Sequence, residues 1–154
     1  MSIEERLQEL GLGIVLPKAN PPAAVYCPGI QVGNLMFTAG QTPKIDGKLQ
    51  YTGKLGQDLT VAEGQAAARL CILSCLAILK DTAGSLDRVE RIVKLTGFVN
   101  AIPSFTQHSQ VIDGASQLLY DIFGSAGSHA RSAVGCVSLP GNACCEIGMV
   151  AALK

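Results

Sequence analysis

The chain has 154 residues, of which 48% are apolar and 16% charged, with twelve basic side chains against twelve acidic ones. This composition excludes a disordered chain and fits one domain, residues 1–154, with enough apolar content for a sizeable core. Balanced charge without a Lys/Arg run lacks the electrostatic footprint of a dedicated nucleic-acid binder, so nucleic acid is disfavoured as a partner.

In chain order, Met1–Leu10 reads as a short amphipathic helix with Ile3, Leu7 and Leu10 on one side, ended by Gly11. It lacks the basic start and apolar run of a secretory signal, and no window of about 18 apolar residues is expected to span a membrane. A cytoplasmic protein without a membrane partner is expected. Gly13–Pro17 reads as an edge strand and Asn20-Pro21-Pro22 as a turn, so that residues 1–20 form an N-terminal helix and strand extension. Val25–Val32 and Leu35–Ala39 flank Gly33-Asn34 as a hairpin, with Pro28 at an edge or bulge. Thr42–Leu59, with Gly47, Gly53 and Gly56, reads as a surface loop. Thr60-Val61-Ala62-Glu63 has the form of a capping box, opening a core helix that runs to Ala83 and stops at Gly84.

Leu86–Asn100 passes from a turn into a strand, with Ile92, Lys94, Thr96 and Phe98 alternating against Val93, Leu95, Gly97 and Val99. Pro103 suits the first turn of a second helix, whose apolar stripe is Val111, Ala115, Leu118, Leu119 and Ile122. From His129 onward, two strands joined by a turn at Leu139–Asn142 are expected. On the first, Arg131 shares a face with Ala133, Gly135 and Val137, opposite Ser132, Val134 and Cys136; on the second, Glu146 lies between Cys144 and Gly148. Each strand thus carries one charge among small residues. The plain reading is an Arg131–Glu146 ion pair, or edge charges that discourage aggregation; the other is a pocket in which an arginine fork receives a small carboxylate.

Six cysteines occur at 27, 71, 75, 136, 144 and 145. Their spacing is unlike a secreted disulfide framework, and they read as reduced, buried small side chains. With no C-x-x-C pair and only His108 and His129, no metal site is expected, and each histidine reads as a surface or internally satisfied residue. The low charge and high apolar content of so small a domain point to a homo-oligomer. Hairpin, helix, strand, helix, hairpin make an α+β layer with two helices packed on one face of a mixed sheet.

Tyr26, Val32–Gln41, Arg69 in the long helix, Val93–Val99, Ala130-Arg131-Ser132-Ala133-Val134, Leu139-Pro140 and Cys145-Glu146-Ile147 together resemble the RidA/YjgF family, in order from near Pro22 to the end. The extended N-terminus, the long loop after Gln41 and the tract 111–116 resemble a less studied branch, labelled endoribonuclease L-PSP-like or translation-inhibitor-like. The resemblance implies a chorismate-mutase-like fold assembled as a homotrimer with a cleft at each subunit interface. It also implies hydrolysis of reactive 2-enamines or 2-imines, made by pyridoxal-phosphate enzymes, to 2-keto acids and ammonia, without metal or organic cofactor.

Carried across, Arg131 holds the substrate carboxylate, Glu146 positions the attacking water, Tyr26 stands at the cleft rim, and Gly40, Ser109 and Ala133 occupy substrate-binding positions. Three positions depart from the family pattern. Ala39 replaces a serine beside Gly40, Ser109 replaces an asparagine, and Ala133 replaces a frequent cysteine. The anchor and the water-holder are retained while side chains that shape specificity are not. A non-catalytic trimeric module that binds a small carboxylate metabolite is the alternative. An endoribonuclease is a third reading, with no basic stripe, metal cluster or well-placed histidines to support it.

Overall fold

A computed structural model describes residues 1–12 and 25–154. The strand expected at Gly13–Pro17 and the turn at Asn20-Pro21-Pro22 lie outside the described residues.

Helix α1 (Ile3–Glu9) is capped by Ser2, whose hydroxyl accepts from the Glu5 amide while the Glu5 carboxylate accepts from the Ser2 amide. β1 (Gly29–Val32) and β2 (Leu35–Thr38) form the hairpin around Gly33-Asn34. The segment read as a surface loop instead holds a second, two-stranded sheet, β3 (Lys44–Ile45) with β4 (Lys48–Leu49), and fully buries Leu55. Its turn is Asp46-Gly47, with φ of 50° and 75°, a left-handed pair that Asp-Gly adopts readily.

Helix α2 (Val61–Ala83) has both expected ends. Thr60 and Glu63 exchange capping hydrogen bonds, and Gly84 closes the last turn at φ 85° by donating to the Lys80 carbonyl. Contrary to the sequence expectation, α2 is long and apolar enough to cross a membrane by length and composition. Most of that window (61%) is buried within the fold, which identifies α2 as the core helix.

A 3₁₀ turn at Leu86–Arg88 leads into β5 (Val89–Asn100), and α3 (His108–Phe123) returns the chain to β6 (Ala130–Cys136), followed by β7 (Cys145–Leu153). The main sheet has the order β1-β2-β7-β5-β6, with only β5 and β6 parallel, the pair whose connection needs a crossover element. The last two strands are therefore not a hairpin, because β5 lies between them. The alternation expected along β5 also shifts phase: Ile92 pairs with Ala151 but Lys94 pairs with Val150, leaving Val93 as the extra residue of a bulge. Ile92, Leu95 and Val99 consequently share the buried side. Helix α3 starts five residues after Pro103, which sits in a turn.

Helices α2 and α3 cover one sheet face, burying Leu95, Val99, Cys145, Ile147 and Met149. The helices approach closely at Gly114, where an added Cβ would lie 2.5 Å from the Gln65 carbonyl oxygen. On the other face, Ile30, Val32, Phe37, Phe98 and Val134 are exposed. This is an α+β, chorismate-mutase-like layer with a mixed sheet.

Candidate functional site

Arg131 is opposite Leu95 in the β5–β6 ladder, so its side chain rises on the helix face at the sheet's outer edge. There it meets one side of α3. Nη1 donates to Asp113 Oδ1 at 2.8 Å and Ser116 Oγ at 3.0 Å, and Nη2 donates to Ser109 Oγ at 2.6 Å and the Ser109 carbonyl at 3.4 Å. Residues 109, 113 and 116 recur at i, i+4 and i+7, the spacing that aligns side chains on a helix. Four of the five guanidinium N–H groups are thus engaged, leaving Nε–H without a partner among the described residues. The side chain is 18% exposed.

The network continues through His129. Its Nδ1 is 2.6 Å from the Gly127 carbonyl, and since a carbonyl only accepts, Nδ1 donates this bond. The ring's Nε2 shares a hydrogen bond of 2.9 Å with the Ser116 hydroxyl. Between α2, α3 and the start of β6, a cavity of about 750 Å³ is lined by Gln65, Arg69, Asp113, Ser116, Tyr120 and Arg131, with His129 at its wall.

Glu146 has a different setting. It pairs with Phe98 and projects from the sheet face that the helices leave uncovered. Its carboxylate makes no hydrogen bond or ion pair among the described residues. Partial burial pushes its pKa above the ordinary carboxylate value, since desolvation penalises the charged form. Gln41 and Ile147 exchange backbone hydrogen bonds of 2.8 and 2.9 Å, which brings Gly40 against Glu146; a Cβ at residue 40 would lie 2.9 Å from Oε2. A larger residue at position 40 would make the Glu146 side chain shift.

Within one chain, then, Arg131 neither pairs with Glu146 nor shares a pocket with it. One faces the helices and the other faces away, because β5 separates their strands and the registers set them in opposite phase. Ser109 and Ala133 lie on the arginine side and Gly40 on the glutamate side. Tyr26 is half exposed, ahead of β1. Sequence reasoning missed Asp113, the carboxylate that pairs Arg131, although the 109/113/116 spacing opposite the apolar stripe of α3 was a signal for it. A second cavity, of about 590 Å³, is lined by Lys54, Phe105, His108, Gly135 and Cys136. In it, the His108 ring meets Phe105 edge-on.

A family model described as YjgF/chorismate-mutase-like, a description that also names an endoribonuclease, matches residues 4–153. The chain belongs to the YjgF family. Protein TCP17 of Trypanosoma cruzi is 47% identical over 144 residues, covering 93% of this chain and 90% of that relative. Atu1372 of Agrobacterium tumefaciens, a protein of unknown function, superposes with a TM-score of 0.91 at 43% identity, over 99% of this chain and 92% of its own. Escherichia coli TdcF with bound serine superposes with a TM-score of 0.62 at 25% identity, over 90% and 93% of the two chains. In this chain the fold thus places two polar centres back to back across one sheet.

Proposed function

We propose that this YjgF-family chain hydrolyses reactive 2-enamines or 2-imines to 2-keto acids and ammonia, in clefts where Arg131 of one copy meets Glu146 of another. The observation that carries the reading is Glu146: a half-buried carboxylate without a partner among the described residues, on a sheet face rich in exposed apolar side chains. Such a face is the kind that another copy of the chain covers, and a homotrimer supplies one cleft per interface. TdcF holds serine, an amino acid whose carboxylate is the group Arg131 would receive here.

The chemistry follows from the groups. A carboxylate binds side-on to the edge formed by Nε and Nη2, so it displaces only the exposed Ser109 contacts, while Asp113 and Ser116 continue to hold Nη1. Glu146, its pKa raised, accepts a proton from water as the oxygen attacks the iminium carbon. The resulting carbinolamine takes that proton on nitrogen; the C–N bond then breaks as the hydroxyl gives its proton to Glu146, so that ammonia departs, the ketone remains, and the departing ammonia takes the proton from Glu146 to leave as ammonium. The iminium is already electrophilic, so orientation and one proton acceptor suffice, without metal or organic cofactor. Location in the cytoplasm, where imine-forming enzymes operate and thiols stay reduced, is part of the proposal.

The test generates an imine with an amino-acid oxidase in the presence of semicarbazide. Wild-type protein diverts imine from the trap to the keto acid, and Arg131→Ala and Glu146→Gln lose this effect. A second reading, a carboxylate-binding module without turnover, is favoured by the internal engagement of Arg131 and by the non-polar Ala39 and Ala133. It predicts keto-acid binding with semicarbazone formation unchanged. RNA degradation that survives Arg131→Ala would belong to another site or another protein.

A further inference from the structure

Arg69 is the cation of the large cavity that the network around Arg131 does not absorb. It projects from α2 into the space that Asp113, Ser116 and Arg131 line from the other side, and it is half-buried. Arg131 has an ion-pair partner at 2.8 Å in Asp113; Arg69 has neither ion pair nor hydrogen bond among the described residues. Its guanidinium nitrogens are not sealed from solvent, since Ser74 Oγ is the one buried side-chain N or O without a partner among the described residues, so an anion that enters the cavity can meet the fork directly. The wall also carries the Gln65 and Gln117 amides, the Tyr120 and Ser116 hydroxyls and His129, and its one carboxylate, Asp113, is already paired with Arg131. At about 750 Å³, the space lies in the roughly 300–1,000 Å³ range of pockets for ligands much larger than a three-carbon acid.

We infer that this cavity is a subsite for a second anionic group, and that Arg69 selects substrates with an acidic side chain: imines of dicarboxylic amino acids and the corresponding 2-oxo diacids. The inference rests on the proposed deaminase reading and adds the substrate class to it. The 2-carboxylate takes the Nε/Nη2 edge of Arg131. The side-chain carboxylate extends into the cavity and meets the Arg69 fork, with the Tyr120 hydroxyl as a further donor. An uncharged side chain leaves Arg69 to water, so the discrimination is the charge-assisted contact that only the diacid makes.

Two measurements test this on the full chain. Calorimetry compares 2-oxoglutarate with pyruvate, and the semicarbazide assay compares imine generated from glutamate or aspartate with imine generated from alanine. Wild-type protein should favour the diacid by about tenfold or more in both, the size of one charge-assisted contact. Arg69→Met should collapse that ratio toward one, and Arg69→Lys should retain part of it; circular dichroism checks that each variant is folded, and Arg69→Gln replaces the Met variant if it is not. Equal handling of the two acids by wild type, or a preference that survives Arg69→Met, overturns the subsite while the deaminase reading stands. Failure to process or bind either class overturns both.

Discussion

Because the sheet separates Arg131 from Glu146, a chain cannot complete the proposed site alone, and mixing two inactive variants should restore activity. Arg131→Ala keeps an intact glutamate and Glu146→Gln keeps an intact arginine. If each site takes its arginine from one copy and its glutamate from the next, random assembly of equal amounts makes a site functional only when an arginine-bearing copy meets a glutamate-bearing one in the right order. The probability is about one quarter, whatever the number of copies in a closed ring. Each variant alone should be near background, since loss of the carboxylate anchor or the proton acceptor removes roughly a hundredfold or more. The assay is semicarbazone competition on protein co-refolded from a denatured mixture or co-expressed with two affinity tags, with mixed oligomers purified through both. Oligomers shown to contain both variants, yet with no activity above the parents, would refute the shared site, because the fold brings the intact groups together by no other route.

Glu146 also predicts two opposite pH effects. Its folded pKa lies above the unfolded one, so the folded state holds more protons between the two values and stability falls as pH rises through that interval; Glu146→Gln should flatten this slope in thermal melts and leave the fold at least as stable at neutral pH. Activity should instead climb with pH through the raised value, as the carboxylate becomes able to accept a proton, and the Gln variant should lack that limb. Gly114→Ala, whose Cβ would fall 2.5 Å from a backbone oxygen of α2, should cost about 1–3 kcal/mol and lower Tm by several degrees. Cys27 is exposed, whereas Cys71, Cys75, Cys144 and Cys145 are buried, and burial pushes the Cys75 thiol up to about 12. Brief alkylation of native protein read by mass spectrometry should mark Cys27 and spare these four until denaturant is added.

The parts of the fold legible in the sequence are those fixed by local chemistry. Thr60 and Glu63 cap the same helix end they announce, Gly84 has the left-handed geometry that stops a helix, and Gly33-Asn34 turns the first hairpin. What escaped was set by partners distant in the chain. Nothing near residues 130–153 reveals that β5 inserts between the last two strands, and this insertion decides which face each charge occupies. The bulge at Val93 similarly reverses an alternation that looks regular in one dimension. Arg131 and Glu146 were each visible as lone charges among small residues. Their relation was not, since it depends on two registers and, on the present proposal, on a second chain. Asp46-Gly47 was a local signal that went unread among neighbouring glycines.

The uncovered sheet face links stability to chemistry. Phe37, Phe98 and Val134 are each more than a third exposed, and fully burying a side chain of this kind contributes about 1.5–3 kcal/mol, so assembly over this face has a driving force independent of any substrate. Glu146 stands opposite Phe98 in the ladder. If another copy docks over this face, as proposed, hiding the aromatic ring also dries the space around the carboxylate. Further desolvation raises the pKa of an unpaired carboxylate, whereas a guanidinium brought close by the neighbouring copy lowers it again. The proton acceptor is then tuned by the interface itself. Dilution below the assembly constant should remove activity and apolar burial together, by mass action, with a midpoint common to sedimentation and imine turnover. Turnover that persists in a demonstrated monomer would separate the two and defeat this account.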